Sequence, residues 1–241
     1  MKHLQFFWLA VLQLLAAHSL PAEDLYQPKS FKSSNGNELP YRIMLPEGYS
    51  ADDKTEYPLV LFLHGAGERG KDNARQLVHG ASEFAKPANR QKYPAIVVAP
   101  QCPSGSFWTR EDKSLLGLID SIRKDYHVDA RRIYITGLSM GGFGTWSLIA
   151  AQPGLFAAAA PICGGGSTES AEKLVNLPIW VFHGDADTVV KPDLSRNMVK
   201  AIEKAGGKPK YTEYAGVGHD SWTATYANPE FIAWLFSQKR P

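Results

Sequence analysis

Residues 137–142 read Gly-Leu-Ser-Met-Gly-Gly and place Ser139 in a Gly-x-Ser-x-Gly frame. The run Arg-Arg-Ile-Tyr-Ile-Thr precedes the frame as a strand-like segment, and the helix-compatible run Phe-Gly-Thr-Trp-Ser-Leu-Ile-Ala-Ala follows it. A serine between a strand and a helix sits on a sharp, strained turn, for which flanking glycines leave room. The pattern predicts that the Ser139 hydroxyl projects above a sheet as a nucleophile. Alone, the frame also fits a glycine-rich turn whose serine caps the following helix.

The N-terminal residues have the composition of an export signal. Lys2 and His3 precede an apolar stretch over 4–17, and small residues follow it. We predict a signal peptide over residues 1–22, with cleavage near 19–23 and an exported (periplasmic or secreted) mature chain. The stretch is shorter than the roughly 20 apolar residues of a membrane span, so we expect no integral span in the mature chain. An uncleaved N-terminal anchor is the alternative.

Residues 23–241 have a length suited to a single catalytic domain. A hydrophobic content of 44% with 11% aromatic residues is typical of a globular chain. The net charge of +2, from 26 basic and 24 acidic residues, gives no field suited to nucleic acid. We therefore expect no nucleic-acid partner, and the composition leaves the oligomeric state open.

Apolar runs bounded by turn residues predict the strands. The Asn35-Gly36 turn predicts a hairpin between residues around 28–33 and a strand over 38–45. Near-continuous Val/Ile/Leu runs are typical of strands buried on both faces of a parallel sheet. Further strands are predicted over 59–63, 95–99, 132–136, 156–162 and 179–182, with an edge strand over 210–215.

Segments with apolar spacing near 3.6 residues alternate with these strands and predict helices. They cover residues 73–85, 112–125, 140–151, 192–205 and 228–238. The alternation predicts an α/β fold: a mostly parallel twisted sheet with helices on both faces, whose strand-to-helix loops share one edge. Short connections leave no room for a large cap domain, so we expect an open site.

A serine nucleophile needs a base oriented by an acid. Position argues against six of the seven histidines. Two lie in the export segment, His3 and His18, and two lie in or beside helices away from the catalytic edge, His79 and His127. The remaining two, His64 and His183, lie at strand ends, where a ring more often braces a loop. His219 lies in a glycine-flanked loop after the last strand and is the predicted base.

The acid is expected at a strand tip between the serine and the histidine. Asp185 and Asp187 both follow the strand over 179–182. Asp187 is preferred because it lies deeper in the loop and can reach His219, whereas Asp185 is better placed to hydrogen-bond the turn. The resulting order of serine, aspartate and histidine is typical of one of the known triad arrangements.

The tetrahedral oxyanion of acyl transfer also needs donors. The Met140 N–H follows the nucleophile at a helix start, and the Ala66 N–H lies in a glycine-rich loop after the strand over 59–63. Gly65 and Trp108 are predicted substrate contacts, although Trp108 could equally be a packing residue.

Three other residues near the expected catalytic edge admit two roles each. Trp222 could wall the pocket, but packing is favoured. Glu68 and Arg69 either contact the substrate or pin the oxyanion loop, and the second role is favoured.

Two cysteines, Cys102 and Cys163, follow strands that are not expected to be neighbours. Bridged Cα atoms must lie within about 7 Å, so a disulfide is disfavoured without being excluded. No paired Cys or His spacing indicates a metal site, and no glycine-rich phosphate loop is present in the sequence. We expect neither a metal nor a cofactor.

The loops that begin at His64, Pro100, Gly137, His183 and Gly218 together resemble the α/β-hydrolase superfamily. They are most similar to its phospholipase/carboxylesterase group, which includes acyl-protein thioesterases, dienelactone-hydrolase-like enzymes and exported "predicted peptidases". The similarity spans about residues 40–235. The export segment and the Glu68-Arg69 pair depart from the cytosolic thioesterases, which argues against protein deacylation.

The resemblance implies a triad of Ser139, Asp187 and His219, with the oxyanion held by the N–H groups of Ala66 and Met140. The leading hypothesis is an exported serine carboxylic-ester hydrolase that works through an acyl-enzyme on small or polysaccharide-linked acyl, acetyl or feruloyl esters. The alternatives are a serine peptidase of the same fold and a non-catalytic carbohydrate-binding protein on a hydrolase scaffold.

Overall fold

A computed structural model describes residues 22–33, 36 and 38–241. Strands in this part of the chain form a single eight-stranded sheet. They are β1 Gln27–Lys32, β2 Glu38–Met44, β3 Tyr57–Leu63, β4 Ile96–Pro100, β5 Val128–Leu138, β6 Ala158–Ile162, β7 Trp180–Gly184 and β8 Lys210–Tyr214.

Eight α-helices surround the sheet within the described residues. They are α1 Ala22–Leu25, α2 Ala81–Ala85, α3 Pro87–Lys92, α4 Asp112–Asp125, α5 Met140–Ala151, α6 Asp193–Lys204, α7 Trp222–Ala227 and α8 Pro229–Ser237.

The sheet is mostly parallel, as the apolar runs predict. Its strand order is β1-β2-β4-β3-β5-β6-β7-β8. The pairs β1–β2 and β2–β4 are antiparallel, and the remaining pairs are parallel. The predicted hairpin is therefore present, with Gln27 opposite Ile43, while Asn35 of its turn lies outside the described residues. Because β3 and β5 are neighbours, the loops that follow them meet at the middle of one edge.

Helices cover both faces of the sheet, and the strand residues alternate between two apolar clusters. Leu61 of β3 packs in the cluster that includes Leu118 of α4 and Met198 of α6. Phe62, the next residue, packs on the opposite face with Phe231 of α8. Burial on both faces explains why β3, β4 and β6 are nearly continuous apolar runs rather than alternating ones.

The predicted helix over 73–85 is wrong, because the chain breaks at Gly80. A short 3-10 turn, Arg75–Leu77, precedes α2, and Gly80 between them has φ 63°. A Cβ at Gly80 would lie 2.5 Å from the Tyr226 ring and 2.7 Å from the Phe62 ring. Only a residue without a side chain fits here, so the chain turns instead of continuing the helix.

Between β6 and β7 the chain forms only the 3-10 helix Thr168–Leu174. This agrees with the expectation that no large cap covers the site. No helix in the part of the chain that the structure describes is long and apolar enough to cross a bilayer. The predicted signal segment falls almost entirely on residues outside the described ranges.

Candidate active site

Ser139 occupies the sharp turn between β5 and α5. Its backbone has φ 51° and ψ −114°, a strained geometry for a residue with a side chain. A Cβ at Gly141 would overlap the carbonyl oxygen of Leu63, and one at Gly137 would lie 2.5 Å from the Gly141 oxygen. The glycine frame is therefore a steric requirement of the turn that presents Ser139 at the sheet edge.

The structure brings together the three residues that the sequence predicts as a triad. His219 Nε2 lies 2.9 Å from Ser139 Oγ, and His219 Nδ1 lies 2.7 Å from Asp187 Oδ2. A carboxylate can only accept a hydrogen bond, so Nδ1 donates to Asp187 and Nε2 is left to accept the Ser139 proton. The arrangement is that of a nucleophile, a base and an orienting acid.

Asp187 is held in place from two sides. Its exposed fraction is 3%, and Oδ1 accepts hydrogen bonds from the N–H groups of Val189 and Val190 at 2.8 and 2.9 Å. Burial acts to raise the pKa of the Asp187 carboxyl, but the hydrogen bonds from His219 and from these two N–H groups outweigh it and keep the pKa below its ordinary value. The carboxylate is consequently ionised wherever His219 could act as a base.

Asp185, the other acid candidate, serves the backbone. It is exposed, and its Oδ1 accepts a hydrogen bond from the Gly216 N–H at 2.7 Å. This contact ties the loop after β7 to the loop after β8, which carries His219. Asp185 therefore has the turn-supporting position that the sequence indicates.

A second histidine, His183, contacts the same acid. Its Nε2 lies 2.9 Å from the Val190 carbonyl and 3.3 Å from Asp187 Oδ2, and its Nδ1 lies 2.7 Å from Ser195 Oγ. Burial lowers the pKa of His183, against the opposing effect of Val190 and Asp187. The sequence predicts that the His183 ring supports a loop, but it does not predict the contact with Asp187. The spacing of four residues between His183 and Asp187 is the sequence feature that could have indicated this contact.

The two predicted oxyanion donors each lie at the start of a helical segment. Met140 begins α5, where first-turn N–H groups have no partner within the helix. Ala66 begins the 3-10 helix Ala66–Glu68, near the start of the loop that follows β3, and its N–H pairs with no acceptor in the described part of the chain. Both groups are thus available to an external oxygen.

Gly65 does not line the cavity beside Ser139. It is buried, and a Cβ there would lie 2.9 Å from the Leu138 side chain and 3.0 Å from Glu68 Oε2. The predicted substrate contact of Gly65 thus gains no support from its position. The residue is a close-packed support for the loop that carries Ala66.

An open cavity of about 320 Å³ adjoins the nucleophile. Three of its six lining residues are aromatic, and the lining consists of Phe107, Trp108, Thr109, Ser139, Met140 and Phe143. Trp108, predicted as either a substrate contact or a packing residue, has a position compatible with both roles. It lines the cavity but is fully buried, and its Nε1 donates to the His64 carbonyl at 2.9 Å.

Phe107 is the exposed wall of this cavity, and sequence reasoning missed it. Its exposed fraction is 45%, and the guanidinium carbons of Arg69 and Arg110 lie 4.9 and 5.8 Å from the ring centroid. Arg69 also donates to the carbonyl of Ala66 at 3.0 Å and to that of Ser106 at 3.3 Å. Arg69 therefore pins the oxyanion loop, which is the role favoured from the sequence.

His79 lies on the catalytic edge, contrary to the sequence expectation. Its ring centroid is 5.6 Å from that of Trp222, and the Trp222 ring is 5.2 Å from His219 in an edge-to-face arrangement. His79 Nε2 also lies 3.9 Å from Glu68 Oε1. The break at Gly80 turns this segment toward the site, which a continuous helix over 73–85 would not do.

Both cysteines are buried free thiols. Burial raises the pKa of Cys102 and of Cys163 to about 12. Cys163 Sγ lies within 4.8 Å of ligand atoms of Asp187 and His219, the one such cluster among the described residues. Because Asp187 and His219 are hydrogen-bonded to each other, this cluster belongs to the triad.

Comparison with known proteins gives one family and several esterases. Residues 101–229 match the profile of the Dienelactone hydrolase family. A solved structure described as a thermostable esterase superposes with a TM-score of 0.86 at 42% identity, covering 91% of this chain and 64% of that one. The range 101–229 contains Ser139, Asp187 and His219.

Two curated proteins are similar over parts of their length. Poly(3-hydroxyalkanoate) depolymerase C of Paucimonas lemoignei is 32% identical over 167 residues, which is 63% of this chain and 37% of that protein. A probable feruloyl esterase C of Aspergillus terreus is 30% identical over 181 residues, which is 72% of this chain and 63% of that protein. The chain thus spans less than two thirds of each of these relatives.

Proposed function

This chain belongs to the dienelactone hydrolase family, and we propose that it is a serine carboxylic-ester hydrolase that works through an acyl-enzyme. The observation that carries the proposal is the continuous hydrogen-bonded series from Ser139 through His219 to Asp187. Each of the three groups has the hydrogen-bond partner that nucleophilic catalysis requires.

In the first half-reaction, Ser139 Oγ attacks the ester carbonyl carbon while His219 Nε2 takes the hydroxyl proton. The carbonyl oxygen becomes an oxyanion that accepts hydrogen bonds from the Ala66 and Met140 N–H groups. As the intermediate collapses, the bond to the alcohol oxygen breaks and His219 returns the proton to that oxygen. Asp187 stabilises the imidazolium that forms between these two proton transfers.

In the second half-reaction, a water molecule replaces the alcohol. His219 takes a proton from the water as its oxygen attacks the acyl-enzyme, and the same two N–H groups hold the second oxyanion. Collapse breaks the bond to Ser139 Oγ, which recovers its proton from His219. This step releases a carboxylic acid and the free enzyme. Over both half-reactions, one ester and one water molecule give one alcohol and one carboxylic acid.

The substrate is an ester whose acyl group enters the cavity lined by Phe107 and Phe143. The aromatic lining suits apolar or aromatic acyl groups, and the absence of a large cap between β6 and β7 leaves space for a bulky alcohol. These features support small soluble esters and acyl, acetyl or feruloyl groups carried on carbohydrate.

We further propose that residues 23–241 act as a single catalytic domain after export and removal of residues 1–22. The basic start, the short apolar stretch and the small residues that follow it support this. Intact mass of the chain recovered from the exported fraction measures the cleavage position directly.

The test compares the wild-type chain with Ser139→Ala. Both are incubated with p-nitrophenyl esters of graded acyl length, feruloyl esters and peptide anilides. Ester hydrolysis by the wild type alone is the expected result, and equal turnover by both proteins would remove Ser139 from the mechanism. Anilide cleavage faster than ester cleavage would indicate a peptidase, and sugar binding without hydrolysis would indicate a carbohydrate-binding scaffold.

A further inference from the structure

We propose that His64, supported by Gln101 and Cys102, is a positioning residue that aims the Ala66 N–H at the oxyanion. The inference rests on the proposed ester hydrolysis, because it concerns a donor to the same intermediate. His64 does not reach the reacting atoms. It acts through the peptide group that joins Gly65 to Ala66.

The tautomer of His64 follows from its neighbours. The ring is almost fully buried, and its Nε2 lies 3.0 Å from the Cys102 backbone nitrogen. A backbone N–H can only donate, so Nε2 is unprotonated and accepts this bond. The proton of the neutral ring is therefore on Nδ1, which donates to the Gly65 carbonyl at 2.6 Å.

This bond fixes the direction of the Ala66 N–H. The Gly65 carbonyl and the Ala66 N–H belong to one planar peptide group, and no cis peptide bond occurs among the described residues. In a trans peptide the C=O and N–H bonds point in opposite directions. Because His64 draws the carbonyl toward the buried ring, the N–H of the exposed Ala66 points away from it, where it meets no protein acceptor.

The segment after β4 holds His64 and the far end of the same loop. The Cys102 peptide donates to His64 through its N–H, and its carbonyl accepts a bond from the Gly70 N–H at 3.0 Å. The Gln101 side chain donates to the Glu68 carbonyl at 3.0 Å and accepts from the Asn73 N–H at 2.7 Å. The Pro-Gln-Cys-Pro motif at residues 100–103 thus clamps the loop on both sides of Ala66.

Two substitutions of His64 test its two hydrogen bonds separately, the one donated to the Gly65 carbonyl and the one accepted from the Cys102 N–H. The amide nitrogen of His64→Asn can take the place of Nδ1 and bond to Gly65, whereas the amide of His64→Gln lies where Nε2 was and reaches Cys102. We expect His64→Gln to lower kcat by about 10- to 100-fold with little change in KM, less than the complete loss of an oxyanion donor. His64→Asn is expected to recover most of that loss.

The affinity of a boronic acid distinguishes positioning of the oxyanion donor from a purely structural role of His64. The boronic acid forms a tetrahedral adduct with Ser139 whose oxygen occupies the oxyanion position, so its affinity is expected to fall in His64→Gln by the same factor as kcat/KM. Ile122→Val, on the buried face of α4, is the control for lost stability. It should lower the melting temperature and leave both kcat and boronate affinity unchanged.

Unchanged kcat and boronate affinity in folded His64→Gln would overturn the inference. If His64→Gln does not fold, the same two measurements are made on Gln101→Met, which lacks the hydrogen bond to the Glu68 carbonyl. Unchanged kcat and boronate affinity in Gln101→Met would also overturn the inference. Failure of the proposed function is a different result, in which the wild-type chain itself hydrolyses no ester.

Discussion

His183 Nε2 lies 3.3 Å from Asp187 Oδ2, the same carboxylate oxygen that accepts the 2.7 Å hydrogen bond from His219. Two imidazole rings therefore face one oxygen, and only His219 also reaches Ser139. Because the buried His183 is neutral and bonds the Val190 carbonyl, it restricts the acid loop without competing for the nucleophile. The acid is fixed by its surroundings before any substrate binds.

The two aspartates of this loop make a matched pair of variants. Asp187→Asn removes the acceptor that holds His219 in its productive tautomer, so we expect kcat to fall by about 10⁴-fold. Asp185→Asn keeps an oxygen for the Gly216 N–H and is expected to retain kcat near the wild-type value. Steady-state hydrolysis of a p-nitrophenyl ester measures both, and a larger loss in Asp185→Asn would reverse the assignment of the acid.

The aromatic wall of the cavity is expected to set acyl preference. Phe107→Ala removes an apolar side chain whose burial against an aromatic acyl group contributes about 1.5–3 kcal/mol. We therefore expect kcat/KM for a feruloyl ester to fall at least about tenfold, while that for an acetyl ester changes little. Val78→Ala, an exposed apolar residue away from the cavity lining, serves as the control. Equal losses for both esters would contradict this role.

Stability is expected to fall as the pH falls below the pKa of a free histidine. Burial lowers the pKa of His64 to about 4, so below pH 6.5 the unfolded chain binds a proton that the native ring does not. The cost reaches about 2 kcal/mol near pH 5, and His183 adds to it in the same direction. The lowered pKa of Asp187 acts separately, since that carboxylate loses its contribution only below about pH 4.

Urea unfolding near pH 7 and near pH 5 checks this prediction. His64→Gln lacks the titrating ring, so its free energy of unfolding should depend less on pH over that interval, by about 2 kcal/mol. An identical pH dependence in the wild type and the variant would exclude His64 as the origin of the acid sensitivity.

Alanine variants of two glycines with similar φ distinguish the stability cost of backbone strain from that of steric overlap. Gly48→Ala, at φ 73° with open space around it, is expected to cost about 1–2 kcal/mol of stability. Gly80→Ala, at φ 63°, also forces a methyl group into the Tyr226 and Phe62 rings, which adds about 1–3 kcal/mol. Thermal or urea unfolding of both variants gives the difference, and equal costs would mean that the rings move aside easily.

The sheet and the proximity of Ser139, Asp187 and His219 could be predicted because the signals are local and strong. Strands buried on both faces are continuous apolar runs, and the turn at Ser139 requires glycines at fixed positions. The acid and the base each lie a few residues beyond a strand whose direction is set by the parallel sheet. Sequence order along one sheet edge is therefore enough to bring Asp187 and His219 to the nucleophile.

The features that the sequence did not predict depend on contacts between distant segments. The break at Gly80 follows from the Tyr226 ring, which lies almost 150 residues further along the chain. His79 reaches the catalytic edge for the same reason. The exposure of Phe107 likewise depends on how the loop after β4 packs against α5, and no periodicity within that loop encodes it.

The strand order distributes the triad unevenly across the sheet. Ser139 follows the central, fully buried part of β5, whereas His219 follows β8, which pairs only with β7 among the described strands and is partly exposed. Edge elements open at lower free energy than central ones. Hydrolysis is therefore expected to disappear at a denaturant concentration below that of the global transition, because the strand that positions the base opens before the strand that positions the nucleophile.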